Sequence, residues 1–248
     1  MITSRQNQNI KELVKIIERK SDQKDLFFLE GFTIFEEAIR ERVIIKEIYV
    51  SASKADFFRN NYDLGFEIVD DNLLKSISNT KTGKDIIFLV KSENKIELEK
   101  MSEDLVILLD KVQDPGNFGT IIRTADAFGI KNILTINNCV DYRNEKVLRS
   151  SMGSILRVNI KKVELEDLKK LKQIGYKITT TSPKGKRLKY SITKTILVLG
   201  NEANGVSKEI MELSDNIATI PMKGNTESLN VAIAAGIAMY IMTEEHYD

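Results

Sequence analysis

The alternation of short apolar strands with helical segments in the second part of this chain restricts its fold more than any other feature. "DLVILLD" (Asp104 to Asp110) carries an unbroken apolar run from Leu105 to Leu109, as expected of a strand buried on both faces. "NFGTIIRTADAFG" follows with helical spacing and stops at Gly129, a residue suited to a helix C-terminus. Strands then read at "KNILTIN", "LRVNIKKV", "YKITTTS", "TKTILVLGN" and "NIATIPM". Helices read at "NEKVLRSSMG", "LEDLKKLKQIG", "VSKEIMELS" and "SLNVAIAAGIAMYIMTEEH". Such alternation builds an α/β domain on a parallel sheet covered on both faces.

The first part is less regular. Helices read at "NIKELVKIIERK" and "TIFEEAIRER", strands at "LFFLEG", "IKEIYVS", "FEIVD" and "KDIIFLVKS", and helical fragments at "FFRNNYDLG" and "DNLLKSISN". The charged segment "ENKIELEKMSED" has no aromatic residue and reads as a linker. A boundary between Ser92 and Glu103 gives a small α/β domain over 1–95 and a larger one over 104–248.

In a parallel sheet, ligands bind beyond the C-terminal strand ends. Three loops rich in Gly, Asn and acidic residues follow such ends: "DKVQDPGNFG", "LGNEANGVS" and "IPMKGNTESLN". If they converge, they form one pocket. Each alone has a structural reading. "LGNEANGVS" is neither a dinucleotide fingerprint nor a P-loop, and it also reads as a glycine turn with Ser207 as a helix cap. Arg123 falls among Ile121, Ile122, Ala125 and Phe128, where it needs a partner or a site; Asp126 is one candidate partner. Ser228 reads as an N-cap with Asn230 on the surface of the first turn, or both present polar groups to a pocket floor. No G-x-S-x-G elbow makes Ser228 a hydrolase nucleophile.

Composition narrows the chemistry. The chain has one cysteine, Cys139, and one histidine, His246, so neither an intrachain disulfide nor a Cys/His zinc site is expected. Ser-His and Cys-His pairs away from the C-terminus are excluded. Catalysis then falls to Ser, Asn, Arg, Lys, Glu, Asp or Tyr, or to a cofactor. Net charge is only +1, but Ser151 to Gly200 holds 12 Lys and Arg against 3 Asp and Glu, whereas Asn201 to Asp248 holds 2 against 8. One face of such a surface attracts phosphates, unless the lysines are merely solvated. No apolar run of about 18 residues is present to span a membrane. The N-terminal "MITSRQNQNIKEL" lacks the apolar core of a signal peptide, so a cytoplasmic protein is expected.

Taken together, the three loops resemble the three motifs of the SpoU (TrmH-like) RNA ribose 2′-O-methyltransferases of the SPOUT class. The first motif is Asn117, Gly119 and Arg123, continuing "RTADAFG". The second is Gly200, Glu202 and Gly205. The third is Ile220, Pro221, Met222, Ser228, Leu229 and Asn230. "ITSRQN…IKELVKIIERK" leading to "FFLEGFTIFEEAI" is similar to that family's substrate-binding domain, so the resemblance covers nearly the whole chain.

The resemblance implies a C-terminal trefoil knot, which simple topology rules disfavour, a homodimer, and S-adenosylmethionine as cofactor with no metal. It implies that Gly200, Ile220 and Leu229 hold the cofactor through backbone, with Leu199, Gly205, Thr181 and Met222 around it. Arg123, Asn117, Glu202, Ser228 and Asn230 are then the catalytic set. A guanidinium scarcely deprotonates, so Arg123 is expected to clamp phosphate, in its own or the neighbouring subunit's pocket, with Glu202 orienting Arg123 or touching substrate. The expected substrate is RNA, large-subunit ribosomal RNA first and transfer RNA second; a non-catalytic RNA-binding or assembly protein is the alternative. "SPKGKRLK" is expected to be a loop in which Lys184, Lys186 and Arg187 contact RNA phosphates, or a solvated loop.

Overall fold

The computed structural model describes residues 1–23, 25–78, 85–92, 96–190 and 193–244. His246 and residues 93–95 of the linker lie outside these. The chain divides into two units, Met1–Glu93 and Asn94–Asp248.

The first unit runs α1 (Gln8–Ile17), β1 (Leu26–Glu30), α2 (Phe32–Arg40), β2 (Ile45–Ser51), α3 (Ala55–Asn61), β3 (Glu67–Val69), α4 (Asp71–Ile77) and β4 (Ile86–Lys91). Its mixed sheet has the order β1-β4-β2-β3. Helix α1 starts where the Asn7 side chain accepts from Asn9 N and Ile10 N, and α4 where Asp70 accepts from Asn72 N and Leu73 N. Ile10, Leu13, Ile16 and Ile17 of α1 then pack on Phe28, Leu89 and Tyr49 of the sheet.

The second unit runs β5 (Leu105–Asp110), α5 (Pro115–Ala127), β6 (Asn132–Ile136), α6 (Glu145–Ser150), β7 (Asn159–Lys162), α7 (Leu165–Gln173), β8 (Lys177–Arg187), β9 (Thr195–Leu199), α8 (Lys208–Leu213), β10 (Asn216–Thr219) and α9 (Val231–Thr243). Its sheet has the order β10-β8-β9-β5-β6-β7, and every pairing is parallel. Strands β6 and β9 are buried at every position, and within β9 Ile196–Leu199 reads as a continuous apolar run. Gly129 and Gly175 take positive φ at the ends of α5 and α7, as the helix-stop reading requires.

Three local expectations need correction. "SPKGKRLK" is not a loop: β8 runs on to Arg187 by pairing Lys186 with Ala218 and Arg187 with Thr219 of β10. The register breaks between Ile217 and Ala218, so residues 181–185 bulge out of the ladder. A Cβ on Gly185 would lie 2.5 Å from the Ala218 carbonyl carbon, so only glycine allows this approach. Helix α5 begins at Pro115, capped by Asp114, rather than at Asn117. The cap of α9 is Asn230, not Ser228: Asn230 Oδ1 accepts from Ala232 N and Ile233 N.

Candidate active site

The C-terminal ends of β5, β9 and β10 bring the three loops together. A cavity of about 430 Å³ is lined by residues of β8, of the segment after β9, and of the segment joining β10 to α9. Thr181, Leu199, Gly200, Gly205, Ile220, Met222 and Leu229, all singled out in sequence as cofactor contacts, lie on its wall. Glu202 and Ser228 line it as well, with Ser228 exposed.

Two glycines shape the wall. A Cβ on Gly200 would lie 2.4 Å from Gly205 C and 2.4 Å from Val206 N. Gly205 has φ +69 and closes the turn through paired backbone bonds with Asn201, each 2.9 Å. Asn201 Oδ1 accepts from Ala203 N and Asn204 N, which fixes the turn locally.

Side chains from all three motifs form one hydrogen-bonded chain. Asn230 Nδ2 donates to Asn117 Oδ1 at 3.0 Å, and Asn117 Nδ2 donates to Glu202 Oε1 at 3.0 Å. Asn201 Nδ2 donates to the other Glu202 oxygen at 3.3 Å. The direction is set at the helix cap. Because Asn230 Oδ1 must accept the backbone amides of α9, its Nδ2 must face Asn117, whose Nδ2 in turn must face Glu202. Glu202 thus accepts on both oxygens. Asp114 holds Asn117 from below, accepting from Asn117 N at 2.8 Å. That bond, with the Lys146 charge beside it, keeps the Asp114 carboxyl below its usual range.

Sequence reasoning missed the group that anchors the second motif. Asp110 is fully buried at the end of β5. Its carboxylate accepts from Ser207 N at 2.6 Å and from Asn137 Nδ2 at 2.8 Å, and Asn201 Nδ2 donates to Lys111 O at 3.0 Å. Both ends of the loop after β9 are therefore fixed to consecutive residues, Asp110 at the end of β5 and Lys111 just after it. Lys111 and Asn137 adopt φ 57 and φ 55 here, left-handed backbone that clusters at functional sites. The available signal was an acid closing an otherwise apolar strand directly before the first motif. Ser207 occupies the N-cap position of α8 without a side-chain cap bond: its N–H donates to Asp110 and its hydroxyl accepts from Asn137 Nδ2 at 3.2 Å.

Arg123 stands apart. It is exposed and has no hydrogen bond or ion pair among the described residues. Asp126 is not its partner: Arg157 holds Asp126 with Nε at 2.9 Å and Nη2 at 2.7 Å from Oδ2. Within the chain the Glu202 oxygens face Asn117 and Asn201 rather than Arg123. Six helical residues carry a side chain about 9 Å along the axis and about 120° from its starting direction. Arg123 and Asn117 thus do not converge on one point. Lys184, Lys186 and Arg187 line a second groove, not this cavity. Gly119 serves packing, since a Cβ there would lie 2.6 Å from Val147 O of α6.

The profile of the SpoU rRNA Methylase family matches residues 104–240, and that of the MRM3-like substrate binding domain matches residues 7–87. A relative from Bacillus subtilis, the 23S rRNA (guanosine(2553)-2′-O)-methyltransferase RlmP, is 32% identical over 247 residues, covering 96% of this chain and 97% of its own. The tRNA (guanosine(18)-2′-O)-methyltransferase of Aquifex aeolicus is 36% identical over 150 residues, 58% of this chain and 70% of its own. In fold, the chain superposes with a TM-score of 0.86 on the crystal structure of an AdoMet-bound rRNA methyltransferase from Sinorhizobium meliloti, at 24% identity, covering 100% of this chain and 98% of that one.

Proposed function

The chain belongs to the SpoU rRNA Methylase family, and from that premise we propose that it methylates a ribose 2′-oxygen of large-subunit ribosomal RNA with S-adenosylmethionine as donor. The observation that carries this reading is the Asn230–Asn117–Glu202 chain, which ends on Glu202 in the cavity wall. The nearly full-length relative named for 23S rRNA favours the ribosomal substrate over transfer RNA.

The cavity suits the cofactor. Its volume falls in the range of small-molecule sites, and its wall alternates apolar side chains (Leu199, Ile220, Leu229) with closely approached glycine backbone. Those groups take the adenine and methionine portions. Bound there, S-adenosylmethionine supplies a methyl group on a sulfonium, which needs an aligned nucleophile and no metal. The second unit would hold the trefoil knot of the family around it.

The protein's own groups align and activate the nucleophile. The polar chain holds Glu202 and Asn117 rigid at the rim, so the ribose meets fixed acceptors without reorganisation. Ser228, exposed on the same wall, offers a hydroxyl to the ribose or its phosphate. Arg123 clamps the phosphate of the target nucleotide, lowering the cost of an oxyanion beside it as the 2′-hydroxyl gives its proton to the Glu202 carboxylate and takes the methyl from the sulfonium.

Arg123 acts in the site of a second subunit. Helices α5 and α9 lie side by side, with Phe128 and Tyr240 rings 6.2 Å apart. On α9, Ile233, Ile237 and Tyr240 are 56%, 36% and 48% exposed, an apolar stripe on the helix that packs against α5, which carries Arg123. A homodimer through this face covers the stripe and carries each Arg123 to the partner. Among the described residues no helix is long and apolar enough to cross a membrane.

The test is transfer of labelled methyl from S-adenosylmethionine to unmodified 23S rRNA transcript and to unmodified transfer RNA. Labelling of the ribosomal transcript alone is expected. Labelling of transfer RNA alone reassigns the substrate, and labelling of neither, with cofactor bound, favours the binding-only alternative.

A further inference from the structure

Strand β8 passes from the cofactor cavity into a second groove. Thr181, Ser182 and Pro183 line the cavity. Lys184 to Lys189 line an adjoining open groove of about 590 Å³, together with residues 214–218. Four of its cations, Lys184, Lys186, Arg187 and Lys189, are exposed and form no ion pair among the described residues. The one acid of the groove, Asp215, is already held by Lys172 at 3.2 Å and Lys177 at 3.8 Å. Several lysines elsewhere on this unit are paired locally: Lys162, Lys169, Lys170 and Lys208 each lie within 4 Å of Glu164, Glu166, Asp167 and Glu212 respectively. The groove thus gathers four cations in six residues with no acid paired to them among the described residues.

Its backbone is also fixed. The ladder to β10 holds Lys186 and Arg187 on a strand, and the approach of Gly185 to Ala218 and the Leu188 N to Thr219 O bond tie down the backbone next to Lys184 and Lys189. An immobile row of cations suits a polyanion whose charges repeat along a chain.

We propose that this groove binds phosphates of the RNA strand flanking the target nucleotide, with β8 leading that strand from the groove to the transfer site. The proposal rests on the methyltransferase reading but adds a second point of RNA contact, separate from Arg123 and from the first unit. Such contacts position the substrate without reading its bases.

The experiment compares two variants of the full chain that lose equal charge. One carries Lys184→Gln, Lys186→Gln, Arg187→Gln and Lys189→Gln; the control carries Lys162→Gln, Lys169→Gln, Lys170→Gln and Lys208→Gln. Binding to unmodified 23S rRNA transcript is measured across about 50–200 mM KCl, the range in which counterion release is readily resolved. The groove variant is expected to flatten the slope of log affinity against log salt by about 2 to 3, at roughly 0.7 per lost contact. The control is expected to leave the slope unchanged, and both variants to bind S-adenosylmethionine as the wild type does. If the quadruple groove variant melts early, Lys184→Gln with Lys186→Gln is expected to give about half the change. An unchanged slope, or an equal change in the control, overturns the proposal. Methyl transfer by the wild type is read in parallel: its absence, with a groove-dependent slope, sinks the catalytic reading and leaves the groove standing.

Discussion

Asn230 Nδ2 lies 3.0 Å from Asn117 Oδ1 while Asn230 Oδ1 caps helix α9. One side chain therefore starts the last helix and orients the first motif. Asn230→Asp separates the two duties. Aspartate caps a helix as well as asparagine, so the melting free energy is expected to change by less than about 0.5 kcal/mol. The carboxylate faces Asn117 Oδ1, acceptor against acceptor. If Asn117 rotates, its oxygen meets Glu202 instead, so one such contact always remains. Methyl transfer is expected to fall on the order of 10-fold or more, since small misplacements of aligned groups are costly. Steady-state kinetics beside thermal unfolding checks this; unchanged kcat refutes the role given to the chain.

Gly200→Ala puts a methyl group against the Gly205–Val206 peptide, 2.4 Å from its carbonyl carbon. The backbone must yield, at about 1–3 kcal/mol. Because these atoms wall the cavity, S-adenosylmethionine affinity is expected to drop by about 10-fold or more, a loss of about 1.4 kcal/mol, by calorimetric titration. Full affinity would place the cofactor elsewhere.

If Arg123 serves the partner's site, Arg123→Ala and Asn117→Ala chains are each inactive alone but complement when mixed. Each mixed dimer then holds one complete site, giving about a quarter of wild-type activity after random exchange. A site built within one subunit yields no recovery. Cofactor binding by Arg123→Ala is expected to match the wild type.

Asp126 gives a pH signature. Burial raises its carboxyl, but the Arg157 hydrogen bonds, Ser154 and neighbouring charges outweigh this and hold it below its ordinary value. A carboxyl lowered on folding adds stability above its unfolded pKa of about 3.9, and that stability disappears as pH falls through the folded value. The melting temperature of Asp126→Asn is expected to lie below wild type at neutral pH, with the gap closing below about pH 4. A gap independent of pH would show that the pair acts by packing alone.

Much of this was legible in the chain. Buried strands betray themselves as apolar runs, and Leu105–Leu109 and Ile196–Leu199 did so. The three loops announced themselves because they combine Gly, Asn and acids at strand ends, and the structure joins Asn117, Glu202 and Asn230 directly. What stayed hidden depends on distant partners. The extension of β8 through Arg187 exists only because β10 pairs with it. Arg157 claims Asp126 from across the fold, leaving Arg123 free. The buried carboxylate of Asp110 looks, in sequence, like the end of a strand.

The most direct test is chemical analysis of the methylated product. RNA labelled by the wild-type enzyme is hydrolysed in alkali, where cleavage requires a free 2′-hydroxyl. Transfer to the ribose oxygen predicts that the label is recovered in an alkali-stable dinucleotide. Label recovered in a mononucleotide would place the methyl on a base and contradict the account of this site.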